Sequence, residues 1–131
     1  DIGNFDVVEK LRQNKRIVAV YGNIDNQEIR TEFPEIQRFF CEDVDVLLIH
    51  IGGYPGNYTL EVKKEFSKKT PDLFISGHSH ILKVIYDKKN ECLHINPGAA
   101  GNSGFHNVKT AVRFTIEKSE IKDLEILEIE R

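Results

Sequence analysis

The sequence predicts an α+β domain, and three observations predict it. Short strands such as Ile17-Val18-Ala19-Val20 and Leu73-Phe74-Ile75 are apolar on both parities, as strands covered on both faces are. Stretches with polar caps and helical spacing lie between them. The second half of the chain alternates apolar and polar residues about turn sequences, which is the pattern of hairpins with one face on a core. The 131 residues suffice for one domain, residues 1–131, with one substantial core, and the sequence holds no repeat or internal boundary.

Taken in order, Asn4 caps a helix predicted over about Phe5 to Gln13, with Val7, Val8 and Leu11 on the face that packs on a sheet. The strand Ile17 to Val20 follows and ends at Tyr21-Gly22-Asn23-Ile24-Asp25. Glu35 to Phe40 and Val44 to Ile49 read as two strands about a Cys41-Glu42-Asp43 turn. Gly52, Gly53, Pro55 and Gly56 mark an irregular loop from Ile51 to Tyr58. A helix over about Thr59 to Lys69 turns Leu60 and Phe66 inward and its lysines at 63, 64, 68 and 69 to water. Leu82 to Tyr86 and Cys92 to Asn96 form a hairpin, Pro97 to Gly104 a Gly-rich loop, and Ala111 to Ile116 with Ile121 to Ile129 a final hairpin. The Gly-rich loop lacks the G-x-x-x-x-G-K-[ST] spacing of a phosphate-binding P-loop.

Composition narrows the function. With 18 basic and 21 acidic residues and a net charge of −3, the chain has no broad positive field for a nucleic-acid backbone. Cys41 and Cys92 form no Cys-x-x-Cys pair and no disulfide framework, so two reduced thiols in a cytoplasmic protein are expected. The longest apolar run, Val46 to Ile49, falls far short of the roughly 20 residues that span a bilayer, and a soluble protein follows.

The chemistry gathers at strand ends. Gly22-Asn23-Ile24-Asp25, His50 and Gly77-His78-Ser79-His80 each follow an apolar strand directly, and the carboxyl ends of strands in an open α/β sheet converge on one crevice. His78 and His80, two apart in an extended segment after the flexible Gly77, are aimed at a common point. Alone, such a pair reads as two solvated loop histidines; its place among the other strand ends changes that. Imidazole with carboxamide and carboxylate oxygen suits Mn²⁺, Fe, Zn²⁺, Co²⁺ or Ni²⁺. Four or five such ligands point to two ions.

These residues resemble the calcineurin-like metallophosphoesterases, in particular their small bacterial and archaeal phosphodiesterases. That family's ordered signature is Asp-x-His, Gly-Asp, Gly-Asn-x-Asp, a single His after a strand, and Gly-His-x-His. Here Gly22-Asn23-Ile24-Asp25, Leu48-Ile49-His50, Ser76-Gly77-His78-Ser79-His80 and Ile95-Asn96-Pro97-Gly98 follow the same order over nearly the whole chain. The resemblance implies a four-layer α/β/β/α sandwich of two mixed β-sheets flanked by helices, with Asp1 in the place of the Gly-Asp aspartate and an opening β-α-β stretch bearing Asp-x-His upstream of it. It implies hydrolysis of a small-molecule phosphate diester at two divalent ions, Mn²⁺ foremost, with Asp1 and Asn23 as catalytic groups. Asp1 would bridge the ions, Asn23, His50 and His78 would complete one site, and His80 would belong to the other. Asp25 would orient the Asn23 loop from behind. A retromer subunit of the same fold supplies the alternative, a weakly catalytic scaffold for protein interaction.

Two departures from the family pattern stand out. Ile24 occupies a position where many members carry a histidine able to protonate a leaving oxygen, and His50-Ile51-Gly52-Gly53 lacks the second histidine of some small members. His94, within a strand, reads as a satisfied structural histidine. His106 follows the Gly-rich loop and is a candidate for contact with substrate or with a ligand. Tyr54 and Tyr58 either line a pocket or cover a sheet edge.

Overall fold

The computed structural model describes residues 1–131. Helix α1 (Phe5–Arg12) starts where Asn4 accepts from the Val7 amide, and α2 (Gln27–Glu32) starts where Asn26 accepts from Ile29. Strands β1 (Ile36–Cys41) and β2 (Val44–Ile49) form a hairpin in which Cys41 faces Val44 and Glu42, at φ 51°, makes the turn. The breaker-rich loop closes on itself as a two-rung ladder, β3 (Gly53–Tyr54) with β4 (Asn57–Tyr58). Helix α3 (Leu60–Lys68) is capped by Thr59, and β5 (Leu73–Ile75), β6 (Leu82–Asp87), β7 (Cys92–Pro97), β8 (Val108–Glu117) and β9 (Glu120–Glu130) complete the chain.

The main sheet is mixed, in the order β1-β2-β5-β7-β6. Its three central strands, β2, β5 and β7, run parallel, and the two outer strands pair antiparallel to them. Parallel strands deliver their carboxyl ends to one edge, so His50, the His78 loop and the Gly-rich loop all emerge on the same side. One face of this sheet buries Leu47, Ile49, Phe74 and Cys92 with Tyr58 and Val62, and Phe66 of α3 covers them. The other face buries Val44, Val46, Leu73 and Ile95 beneath Val112, Phe114, Ile116 and Ile121 of the β8–β9 ribbon. Full burial of a side chain such as Phe74 contributes about 2–3 kcal/mol. Val8, Ile29 and Phe33 make a third cluster with Phe5, Ile17, Ala19 and Tyr21.

Four details depart from the sequence reading. The layer opposite the main sheet is a two-stranded antiparallel ribbon, and the far end of that ribbon leaves Ile126 and Ile129 exposed. Ile17 to Val20 joins no ladder; the Gln37 side chain donates to the Ala19 carbonyl, and just beyond the segment the Tyr21 amide donates to Pro34 O. On α1 only Val8 is buried, with Val7 and Leu11 exposed, and on α3 Val62 joins the expected Phe66 on the core while Leu60 stands in solvent. Lys69, expected on a solvated face, reaches the buried carboxylate of Asp45 at 3.1 Å. Both cysteines are free thiols, and no helix is long and apolar enough to cross a membrane.

Candidate metal centre

Asn23 is the hub of the site. Its Oδ1 lies 3.0 Å from His50 Nε2 and 3.0 Å from His78 Nδ1, and Asp1 Oδ2 is 3.2 Å from the same His50 nitrogen. The two imidazole rings meet edge to face with centroids 5.3 Å apart. No three His, Cys, Asp or Glu side chains close on a common point by themselves; the carboxamide is what joins the His78 ring to Asp1 and His50.

Each member is held by a different part of the fold. His50 follows β2, and its carbonyl accepts from the Gly77 amide at 2.9 Å, which ties the end of β2 to the start of the histidine loop. Gly22 lets Asp1 approach, since a Cβ there would sit 2.0 Å from Asp1 Oδ1; that oxygen accepts from the Ile24 amide at 3.0 Å. Asp25 is buried beneath the loop and accepts from the amides of Ile2, Gly3 and Gly22 at 2.8 to 3.0 Å. Burial by itself would raise the Asp25 carboxyl, but those amides outweigh it and hold the group below the usual carboxylate range.

The histidine loop is strained. His78 and His80 carry φ values of 69° and 60°, in the left-handed region that a residue with a Cβ enters at a cost of about 1–2 kcal/mol, so the left-handed turns fall on the histidines themselves and not on Gly77. The loop is held by Asn96, fully buried on β7, whose Nδ2 donates to Gly77 O at 2.9 Å and to Ser79 Oγ at 3.1 Å; Tyr54 hydrogen-bonds the same Ser79 hydroxyl. Tyr54 therefore braces the loop. Tyr58 is a core residue whose hydroxyl donates to Asp87 at 2.7 Å. Asn96 appeared in the sequence only as part of the Ile-Asn-Pro-Gly run, and nothing in that run discloses that its side chain binds a loop 17 to 19 positions earlier.

The strain sends the two rings in different directions. His78 turns to Asn23, while His80 turns to His106, with centroids 5.3 Å apart and rings nearly perpendicular. His106 Nε2 donates to the Gly101 carbonyl at 2.9 Å, which leaves Nδ1 as the lone-pair nitrogen; Nδ1 is buried with no partner. Gly104, at φ 127°, packs so closely on His80 that a Cβ would fall 2.1 Å from its Nδ1. Arg131 fixes this segment by donating to the carbonyls of Gly104 and His106, each at 3.0 Å. His94 is fully buried among Tyr54, Tyr58 and Phe74, away from the cluster, and neither of its ring nitrogens has a partner, so it is structural but not satisfied.

The donor set fits a divalent ion. Neighbouring ligands of a six-coordinate ion with bonds of about 2.1 Å are separated by about 3 Å, and the Asn23, His50, His78 and Asp1 atoms stand 3.0 to 3.2 Å apart. Desolvation on burial is the largest of the causes that push His50 down to about 4, so the ring is neutral at pH 7. A cavity of about 340 Å³ opens beside Asn23 and His50, lined also by Tyr21, Arg30, Glu35 and Glu61. A cleft of about 400 Å³ between α3 and the β6–β7 turn has no histidine or carboxylate in its lining and no part in this chemistry.

A mixed sheet carries two imidazoles beyond the carboxyl ends of its parallel strands, and the segment before the sheet brings a carboxylate and a carboxamide to them. The chain belongs to the calcineurin-like phosphoesterase superfamily, whose domain matches residues 1–119. Among solved structures, the Thermotoga maritima protein TM1076 is similar at a TM-score of 0.70 with 21% identity, covering 98% of this chain and 76% of that one. Wild-type Vps29 of Entamoeba histolytica complexed with Zn²⁺ is similar at 0.67 with 18% identity, covering 95% and 75%. A structure described as a novel archaeal phosphodiesterase is similar at 0.65 with 20% identity, covering 97% and 79%. No curated protein matches.

Proposed function

We propose that the domain is a metal-dependent phosphodiesterase. The observation that carries this reading is the meeting of two imidazoles on Asn23 Oδ1 with the Asp1 carboxylate beside them. Asp1, Asn23, His50 and His78 would hold one divalent ion, and Asp1 with His80 would contribute to the second; Mn²⁺ is the first choice, with Ni²⁺, Co²⁺, Zn²⁺ or Fe also suited to these donors. The ions supply charge neutralisation at the phosphoryl oxygens and a water of lowered pKa.

The protein's own groups set what the site can do. His50, neutral at pH 7, spends no binding energy on losing a proton first. Asp25 and the Gly22 approach fix Asp1 and Asn23 in register, and Asn96 fixes the histidine loop. Ile24 is 67% exposed beside Asn23 and has no proton to give, which favours substrates whose leaving oxygen departs unaided, that is, activated diesters over alkyl monoesters. His106, with a free lone pair beside His80, is the group placed to meet substrate or to steady that ring.

The test is turnover of bis(p-nitrophenyl) phosphate with added Mn²⁺. Hydrolysis that is abolished by chelation and by Asn23→Ala supports the reading. Saturable Mn²⁺ binding without any turnover would favour the second reading, an interaction subunit, for which the observation is the apolar outer end of the ribbon, where Val108, Ile126 and Ile129 are exposed.

A further inference from the structure

We infer that Arg30 is the residue that positions Asn23 for metal binding, an inference that rests on Asn23 being a ligand. The Gly22–Asp25 turn has no strand neighbour, so nothing in the sheet fixes the Asn23 backbone. Three side chains grip it instead, the first being Asp1, whose Oδ1 takes the Ile24 amide at 3.0 Å. Asp25 takes the Gly22 amide at 2.8 Å. Arg30 takes the carbonyls: Nε donates to Asp25 O at 2.7 Å, and Nη2 donates to Gly22 O and Asn23 O, each at 3.1 Å. One guanidinium thus holds three of the four carbonyls of the turn, including that of Asn23 itself.

Arg30 is itself held. Its guanidinium carbon lies 4.5 Å from the centre of the Tyr21 ring, and its own amide donates to Asn26 O at 3.1 Å within α2, which the fully buried Ile29 anchors. The donors described, Nε and Nη2, all reach carbonyls of the turn, so the role inferred for Arg30 is carried by its hold on the backbone. Arg30 is a positioning residue, and its effect passes through Asn23. The planar fork is essential to it: donors diverging from one rigid plane serve three carbonyls, whereas a lysine ammonium keeps the charge and the ring contact but concentrates its donors at one point.

The experiment is Mn²⁺ titration calorimetry on the whole chain, with wild type, Arg30→Lys, Arg30→Ala, Asn23→Ala and the Asn23→Ala/Arg30→Lys double variant. Groups that orient a metal ligand from behind are worth 10- to 100-fold in affinity, and Arg30→Lys is expected to lose about 10-fold or more. The double variant is expected to bind no more weakly than Asn23→Ala alone, because a residue acting through Asn23 has nothing left to position. A second readout needs no metal: the Asn23 side-chain amide resonances of the metal-free protein should shift or broaden in Arg30→Lys. If Arg30→Lys binds Mn²⁺ like wild type and leaves those resonances in place while Asn23→Ala loses binding, Arg30 is merely structural and the inference is overturned. If Asn23→Ala itself binds like wild type, it is the assignment of Asn23 that fails. Should Arg30→Ala not fold, Arg30→Lys alone decides.

Discussion

Strand β2 handles charge at both of its ends, and the two ends do so in opposite ways. At its start, the buried carboxylate of Asp45 receives Arg38 Nε at 3.0 Å, Arg38 Nη2 at 2.8 Å and Lys69 Nζ at 3.1 Å. Both cations converge on this one carboxylate, whose oxygens are thereby taken. Just beyond its other end, His50 Nε2 faces Asn23 Oδ1 at 3.0 Å and Asp1 Oδ2 at 3.2 Å, and its Nδ1 lies 2.9 Å from the Asp1 backbone nitrogen. The first end joins a carboxylate to a guanidinium and an ammonium; the second gathers imidazole, carboxamide and carboxylate, the donor types that a divalent ion would complete on the proposed reading. The contrast teaches where to look for function: matched charges stabilise, and mixed metal-type donors are the candidates to bind.

The sharpest way to break the comparison is to remove one acceptor from each end. Asn23→Ala is expected to lower Mn²⁺ affinity by more than the roughly 100-fold seen when supporting groups are removed, while Asp45→Asn leaves it unchanged; equal losses by calorimetry would erase the distinction. Ile24→His should raise the rate on an alkyl leaving group by up to about 10²-fold, the lower range of general-acid help, and should change the nitrophenyl ester rate far less. An equal change on both esters would mean that position 24 only packs.

Two smaller effects sharpen the contrast. Asp25→Asn should cost about 3 kcal/mol in urea unfolding, because buried amides lose a charged acceptor, and should weaken Mn²⁺ binding as well, which ties stability to the second end. At the first end, the hydrogen bond from Arg38, working against burial and assisted by Lys69, holds Asp45 below the usual carboxylate range. A carboxyl depressed on folding contributes stability that is fully present above its unfolded value near 4 and is lost as pH falls through its folded value. The urea midpoint of the wild type should therefore fall below about pH 4, and Asp45→Asn, less stable at pH 7 by about 2 kcal/mol, should show a shallower acid-side decline. Parallel acid limbs in the two proteins would remove Asp45 from the account.

The cluster beyond β2 was legible in the sequence because its members directly follow apolar runs, where the change from apolar to polar is sharp: Asn23, His50 and His78 needed only that pattern to be grouped. The hairpins were legible from alternation, α1 from its Asn4 cap, and α3 from its apolar residues and lysines between two breaker-rich stretches. Helix α2 was not, since six residues are under two turns and Ile29 and Phe33 give one apolar pair rather than a period. Ile17 to Val20 has the composition of a covered strand, but a ladder depends on a neighbour that composition does not report. The supports were hidden for another reason: Asn96 and Arg30 act on backbone groups, and a carbonyl carries no residue identity to match. The divergence of His78 and His80 lies in two positive φ values that Gly77 had been expected to absorb.

The central claim is that the cluster beyond β2 binds a divalent ion through His50 and His78, ahead of His80. Long-range ¹H–¹⁵N correlation spectra of the five histidines during Zn²⁺ titration test it most directly. The account predicts that the ring nitrogens of His50 and His78 move together and reach their end point at the first equivalent, that His80 responds only at higher concentration, and that buried His94 does not respond. His50 and His78 unmoved at saturating Zn²⁺, or His80 moving first, would contradict it.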